Sequence, residues 1–120
     1  LDYVPEELRA PLYAGAELFV FPSLYEGFGF TPLEAMACGT PVVVTSTSSL
    51  PEVCGDAALF APVDRADLLA EQAERILCDP DLARRLVERG TARAAEFSWP
   101  GAAAKMIAVY RRLLGKDPAA

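Results

Sequence analysis

The chain has 120 residues, 52% hydrophobic and 23% charged, which is enough apolar material for one buried core and too little length for two. Lys+Arg number 11 against 17 Asp+Glu, and the formal charge of −6 argues against nucleic acid or an anionic membrane as the main electrostatic partner. Histidine is absent, so this chain's own residues supply no Ser-His-Asp triad, no His-liganded zinc and no histidine acid or base.

In chain order, Leu1 to Val4 reads as the end of a strand that began earlier. Pro5 to Ala16 is predicted as a helix, opened by proline with Glu6 and Glu7 in its first turn and Leu8 and Leu12 four apart. Glu17 to Phe21 (ELFVF) is a β-rich run ended by Pro22, as expected of a buried parallel strand. Pro22 to Phe30 holds Pro22, Ser23, Gly27 and Gly29 and is predicted as a loop. Thr31-Pro32-Leu33-Glu34 then has the form of a helix start, with Thr31 as N-cap, proline at N1 and glutamate at N3, and Gly39 as the glycine past the helix end.

Val42 to Thr45 (VVVT) is the next buried strand, followed by a polar loop over Ser46 to Ser49 and a helical turn at Pro51-Glu52-Val53. Ala57 to Phe60 is the last strand candidate. Three helices follow: Arg65 to Cys78 with Leu69, Ala73, Ile76 and Leu77 on one face, Pro80 to Glu96 with Leu82, Leu86, Val87 and Gly90, and Trp99 to Leu114 behind a Ser98 N-cap. The last carries Ala103, Met106, Ile107, Tyr110, Leu113 and Leu114, the cleanest apolar stripe in the sequence, and Lys116 to Ala120 reads as a frayed tail.

Alternating short apolar runs and amphipathic stretches indicate an α/β fold, a short parallel sheet flanked by helices. The strands crowd into the first half while three consecutive helices end the chain, so the layout is that of a partial Rossmann-like domain entered partway through. The cysteines Cys38, Cys54 and Cys78 are odd in number and lack any C-x-x-C pair, which suits reduced thiols in a cytoplasmic protein better than a disulfide framework. No apolar stretch approaches the roughly 20 residues needed to cross a bilayer, and Asp2, Glu6, Glu7 and Arg9 interrupt any signal-peptide pattern.

The segment Ser23 to Glu34 is the expected site. Ligands of open α/β sheets bind at the carboxyl ends of strands, and a helix N-terminus offers unpaired N–H groups and a positive dipole end to a diphosphate. Gly27 and Gly29 let backbone approach a ligand and adopt angles other residues avoid. Glu26 and Glu34, eight positions apart, fall at the same sheet edge, where carboxylates repel phosphate but accept hydrogen bonds from sugar hydroxyls. An anion site flanked by two hydroxyl acceptors describes a nucleotide-sugar pocket.

The run from Glu26 to Glu34 resembles the E-x7-E motif of retaining glycosyltransferases with the GT-B fold. Its sequel Ala35-Met36-Ala37-Cys38-Gly39-Thr40-Pro41-Val42-Val43 is similar to that of glycosyltransferase family 4, as are Ser49 to Ala58 and Phe97-Ser98-Trp99 before a final helix. The resemblance covers nearly the whole chain. It implies that residues 1–114 are the C-terminal part of the nucleotide-sugar-binding domain, with 115–120 a flexible tail. It implies a nucleoside-diphosphate sugar as donor, retention of configuration, no cofactor and no metal. Glu26 would be the catalytic carboxylate, positioning and stabilising the transferred sugar near the reacting carbon. Backbone N–H groups of Phe28, Gly29 and Phe30, next to Gly27, would lie along the sugar and phosphates, Thr31 would face the diphosphate, and Glu34 would accept from the ribose hydroxyls.

Other roles compete. Thr31-x-x-Glu34 is also a capping box, in which glutamate reaches back to the Thr31 N–H. One of Phe28 and Phe30 is expected in the core and the other at the pocket, without a sequence basis for assigning them. Glu52 and Ser49 either order the loop near the donor or start a helix, and Trp99 is expected as a packing anchor. From Ala10 to Asp64 there is no lysine or arginine, which leaves Glu26 and Glu34 as the nearest charges to a bound diphosphate. The resemblance places the compensating arginine and lysine, and an acceptor-binding N-terminal domain, before Leu1. The chain is therefore expected to be inactive alone and to pair with that domain or self-associate through an exposed sheet edge. The expected location is cytoplasmic, with at most peripheral association at the inner face of a membrane. Rival readings are a non-catalytic interaction module on the same fold and an unrelated doubly wound protein.

Overall fold

A computed structural model describes residues 3–115. The elements are α1 (Glu6–Ala14), β1 (Phe19–Phe21), α2 (Phe30–Ala37), β2 (Val42–Thr45), α3 (Leu50–Cys54), a 3₁₀ turn (Gly55–Ala57), β3 (Ala58–Ala61), α4 (Ala66–Cys78), α5 (Pro80–Ala95) and α6 (Trp99–Leu113). The strands form one parallel sheet in the order β1-β2-β3, with Phe21 opposite Val44 and Val44 opposite Phe60. Because each crossover returns the chain to the same end, the loops after β1 and β2 emerge side by side at the carboxyl edge.

The pleat of β2 sorts its valines onto two faces. Val42 and Val44 pack with Leu33, Met36, Leu50, Val53 and Cys54 from α2 and α3, while Val43 packs with Ile76 of α4 and Leu86 of α5. All four residues of β2 are buried, as expected of a central parallel strand covered by helices on both faces. α5 also lies against α2 at Gly90, where an added Cβ would meet Met36 Cγ at 3.1 Å.

Several sequence expectations need correction. Leu1 and Asp2 lie outside the described residues, and Tyr3 and Val4 belong to no strand. Thr31 is not an N-cap: α2 starts two residues earlier than expected, at Phe30 rather than Pro32, with Gly29 as N-cap, and no side chain caps it. Left-handed Gly29 takes the place where an Asx or Thr cap would stand, so the capping box does not form. Leu77 is exposed rather than on the packed face of α4. The stripe on α6 is likewise unburied, with Met106, Tyr110 and Leu113 at 54%, 56% and 76% exposure, and Trp99 at 82% is no packing anchor. Helical spacing identifies an apolar face but not whether another element lies against it, and α6 contributes no buried residue. Lys116 to Ala120, read as a tail, lie outside the described residues.

Candidate functional site

β1 ends at Phe21, and the chain then runs through an irregular loop to α2. Such a loop lacks ladder partners for its carbonyls, so other groups must supply donors. Here they come from the end of β2 and the loop that follows it. Thr45 Oγ1 donates to the Ser23 carbonyl, Thr47 Oγ1 to that of Leu24 at 3.1 Å, and Ser49 Oγ to those of Phe28 and Glu26 at 2.6 and 3.2 Å. In the other direction, the Glu26 N–H donates to Ser48 Oγ at 2.9 Å.

Glu26 is thereby held at three points. Its N–H and carbonyl are bound by Ser48 and Ser49, and its Oε1 accepts from Ser23 Oγ at 2.8 Å. No ion pair reaches its carboxylate among the described residues.

Glu34 sits just past the middle of α2 with different company. Tyr13 Oη donates to its Oε2 at 3.3 Å, and Arg9 Nη1 stands 3.6 Å from its Oε1. Arg9 and Tyr13 are four apart on α1, which places both on one helical face toward α2. Burial, then the adjacent Glu34 charge, push the Tyr13 phenol above its ordinary value. Arg9 thus brings to Glu34 a positive charge that the cation-free stretch from Ala10 to Asp64 does not suggest. Arg9 falls just outside the cation-free stretch in sequence but folds back onto Glu34, and its partial exposure leaves the pair weak.

The two glycines differ. At Gly29, φ is +113° and an added Cβ would stand 2.9 Å from Leu50 Cδ2 and 3.7 Å from Val53 Cγ1. On its Cβ side Gly29 therefore packs closely against the protein's own core. Gly27 has open space around it and no left-handed backbone, so nothing within the chain demands glycine there. Phe28 is the core-facing aromatic, packed against the cluster around Leu50, while Phe30 is 57% exposed. Their ring centroids are 4.6 Å apart, and Phe28 meets Phe97 edge-on at 5.8 Å. Thr31 is half-buried in the first turn of α2.

Phe28, Phe30, Leu33, Glu34, Phe97 and Trp99 help to line an open groove of about 500 Å³ between α2 and the start of α6. Glu26 does not line it. The structure therefore gathers Glu34 and both aromatics at the groove and holds Glu26 on the adjoining loop with the hydroxyl run. Arg93 of α5 was not anticipated from the sequence. It donates from Nε to the Val53 carbonyl at 2.9 Å and from Nη2 to that of Glu52 at 2.7 Å, closing the C-terminal end of α3, and it lies over the Phe97 ring. The side chain of Glu52 is exposed, and its contribution here is its carbonyl. Among the described residues there is no metal-ligating cluster of three or more Cys, Asp or Glu, and no helix long and apolar enough to cross a membrane.

The family profile described as "Glycosyl transferases group 1" matches residues 1–93. The chain belongs to this family. The glycosyltransferase domain is 44% identical over 113 residues to O-antigen chain mannosyltransferase B of Escherichia coli, across 94% of this chain and 30% of that protein. It is 45% identical over 116 residues to MMP alpha-(1->4)-mannosyltransferase of Mycolicibacterium hassiacum, across 92% of this chain and 28% of that protein. Among solved structures, sucrose-phosphate synthase from Thermosynechococcus elongatus superposes with a TM-score of 0.80 at 38% identity, across 95% of this chain and 29% of the other. The fold is that of a GT-B glycosyltransferase, and the chain spans 28–30% of the length of these relatives.

Proposed function

We propose that this chain is the donor-binding portion of a retaining, family-4-type glycosyltransferase that moves a sugar from a nucleoside diphosphate to an acceptor. Residues 1–114 would serve as the C-terminal part of the nucleotide-sugar domain of a longer polypeptide, which completes the site and carries the acceptor. The observation that carries this reading is the pairing of an uncapped α2 N-terminus with two acidic side chains on the loop and helix around it. Asp79 and Ser98 cap α5 and α6 with their side chains, whereas α1, α2, α3 and α4 start without one; what sets α2 apart is the pair Glu26 and Glu34, one on the loop before its bare first-turn amides and one on the helix after them. Bare amides and a dipole end suit a diphosphate, and carboxylates suit sugar hydroxyls.

In this reading Glu26 accepts from the transferred sugar and stabilises positive charge developing at its reacting carbon. The N–H groups of Phe28, Gly29 and Phe30 and the Thr31 hydroxyl lie along the sugar and diphosphate, with Gly27 leaving room for them. Glu34 accepts from the ribose, and its contact with Arg9 lowers the repulsion it would impose on the diphosphate. Transfer would need no metal and no bound cofactor. The longer protein would work in the cytoplasm, at most peripherally on a membrane. The piece alone would not transfer sugar, and would pair with the preceding domain or with itself along its open sheet edge. The two mannosyltransferase names among the relatives make nucleoside-diphosphate mannose the first donor to assay.

The ribose assignment has a direct test. Ribonucleoside and 2′- or 3′-deoxyribonucleoside diphosphates are titrated against the full-length protein and its Glu34→Ala variant. The unmodified protein should favour the ribonucleotide by about tenfold, and the variant should lose that preference, as expected when both halves of one hydrogen bond are removed in a cycle. An undiminished preference in the variant would overturn the role given to Glu34.

A further inference from the structure

The hydroxyl run that begins with the last residue of β2 reaches across to the Glu26 loop. Thr45, Thr47, Ser48 and Ser49 all direct their oxygens at backbone groups between Ser23 and Phe28. Ser and Thr suit this task because a hydroxyl on a single rotatable bond joins two backbones at close range while losing little side-chain entropy. Ser49 is informative. It stands at the N-cap position of α3, yet it makes no capping bond, and its hydroxyl turns instead to the carbonyls of Phe28 and Glu26.

Ser48 adds an independent sign. Its φ is +45°, a left-handed conformation that costs a non-glycine residue on the order of 1 kcal/mol. Glycine would adopt it without that penalty, but it has no side chain to accept the Glu26 N–H as Ser48 Oγ does. A strained residue held in place by such a contact marks a local geometry kept for something other than stability.

Behind the run, α3 is itself held. Arg93 ties down the carbonyls of Glu52 and Val53 at its far end, and Leu50 and Val53 are buried in the core. The run is thus anchored to rigid structure on one side and grips a loop with no ladder of its own on the other. Its effect concentrates on Glu26, whose N–H and carbonyl are both bound.

We propose that Ser48 and Ser49 are positioning residues that set the Glu26 carboxylate for sugar transfer, with Thr45 and Thr47 fixing the stem of the same loop. This rests on Glu26 acting on the donor, as proposed above. Neither serine need touch the donor.

The test uses the full-length protein and three variants. Ser48→Gly keeps the backbone conformation and relieves its strain but removes the acceptor. Ser49→Ala removes the donor hydroxyl, and Ser49→Thr retains it. We expect Ser48→Gly and Ser49→Ala to lower kcat about tenfold or more, since small misplacements of a catalytic group are costly. Ser48→Gly should melt at or above the temperature of the unmodified protein, and Ser49→Thr should keep most of its kcat. A purely structural role predicts the reverse pairing, with activity following melting temperature. If both hydroxyl-deleting variants turn over within twofold of the unmodified protein while Glu26→Ala abolishes turnover, the positioning role is overturned and the donor reading stands. If the unmodified protein neither binds nor turns over any nucleotide sugar, the donor reading itself fails.

Discussion

Gly29→Ala is the substitution whose cost the structure defines most closely. The residue has φ +113°, where an L side chain is strained, and its new Cβ would stand 2.9 Å from Leu50 Cδ2. The backbone term is about 1–2 kcal/mol. Leu50 is fully buried, so its methyl cannot swing into solvent, and overpacking adds about 1–3 kcal/mol. The sum, about 2–5 kcal/mol, is a large share of the 5–15 kcal/mol typical of a whole domain. Urea denaturation followed by circular dichroism should show a fall in midpoint with little change in slope. Gly27→Ala is the internal control. With open space and ordinary backbone there, it should leave stability unchanged or raise it by about 0.4–1 kcal/mol. Pairing Gly29→Ala with Leu50→Ala should relieve the clash, so the two costs should fall short of additive by about 1 kcal/mol. A Gly29→Ala midpoint equal to that of the unmodified chain would refute the claim that this bend is fixed by core packing.

Four further outcomes follow from other parts of the structure. Arg93→Ala removes two charge-assisted hydrogen bonds to α3 and should cost about 2–3 kcal/mol in the same denaturation assay, and Arg93→Lys should recover little of it because one ammonium does not match the fork geometry. Cys78 is exposed and should alkylate first, whereas burial pushes the Cys54 thiol up to about 11, so mass spectrometry at pH 8 should find Cys54 unmodified until the chain unfolds. Cys54 also predicts stability lost as pH rises from about 9 towards 11, because only the unfolded thiol ionises in that window. Hydrogen bonds from Arg65 hold Asp67 at about 2, so its support for folding is present above pH ~4 and lost as pH falls through about 2; a carboxyl NMR titration with its midpoint near 4 would contradict this pairing.

The sheet was legible because each buried strand is a run of apolar residues bounded by Pro, Gly or polar loops. VVVT appears as β2 without a shift, and ELFVF and Ala57 to Phe60 shift only at their ends. The three closing helices were legible from periodicity and from Ser98, which does cap α6. The start of α2 was not, since Thr-Pro-x-Glu satisfies the capping-box pattern while a left-handed glycine two residues earlier starts the helix first. Partners distant in sequence were also hidden. Arg9 and Tyr13 reach Glu34 only because α1 packs beside α2, and Arg93 reaches α3 across forty positions. The hydroxyl run was visible as residues and suggested a loop, but its partners depend on β1 and β2 being neighbours in register. The apolar stripe of α6 shows the opposite limit, a face that sequence marks as buried and the described residues leave open.

The most direct measurement is donor turnover by the full-length protein, with nucleoside-diphosphate mannose tried first, compared with its Glu26→Ala variant at matched folding. The account predicts that the variant melts within a few degrees of the unmodified protein and loses turnover by about a hundredfold or more, as for removal of one preorganised electrostatic group. A variant that transfers sugar at the rate of the unmodified protein would contradict it.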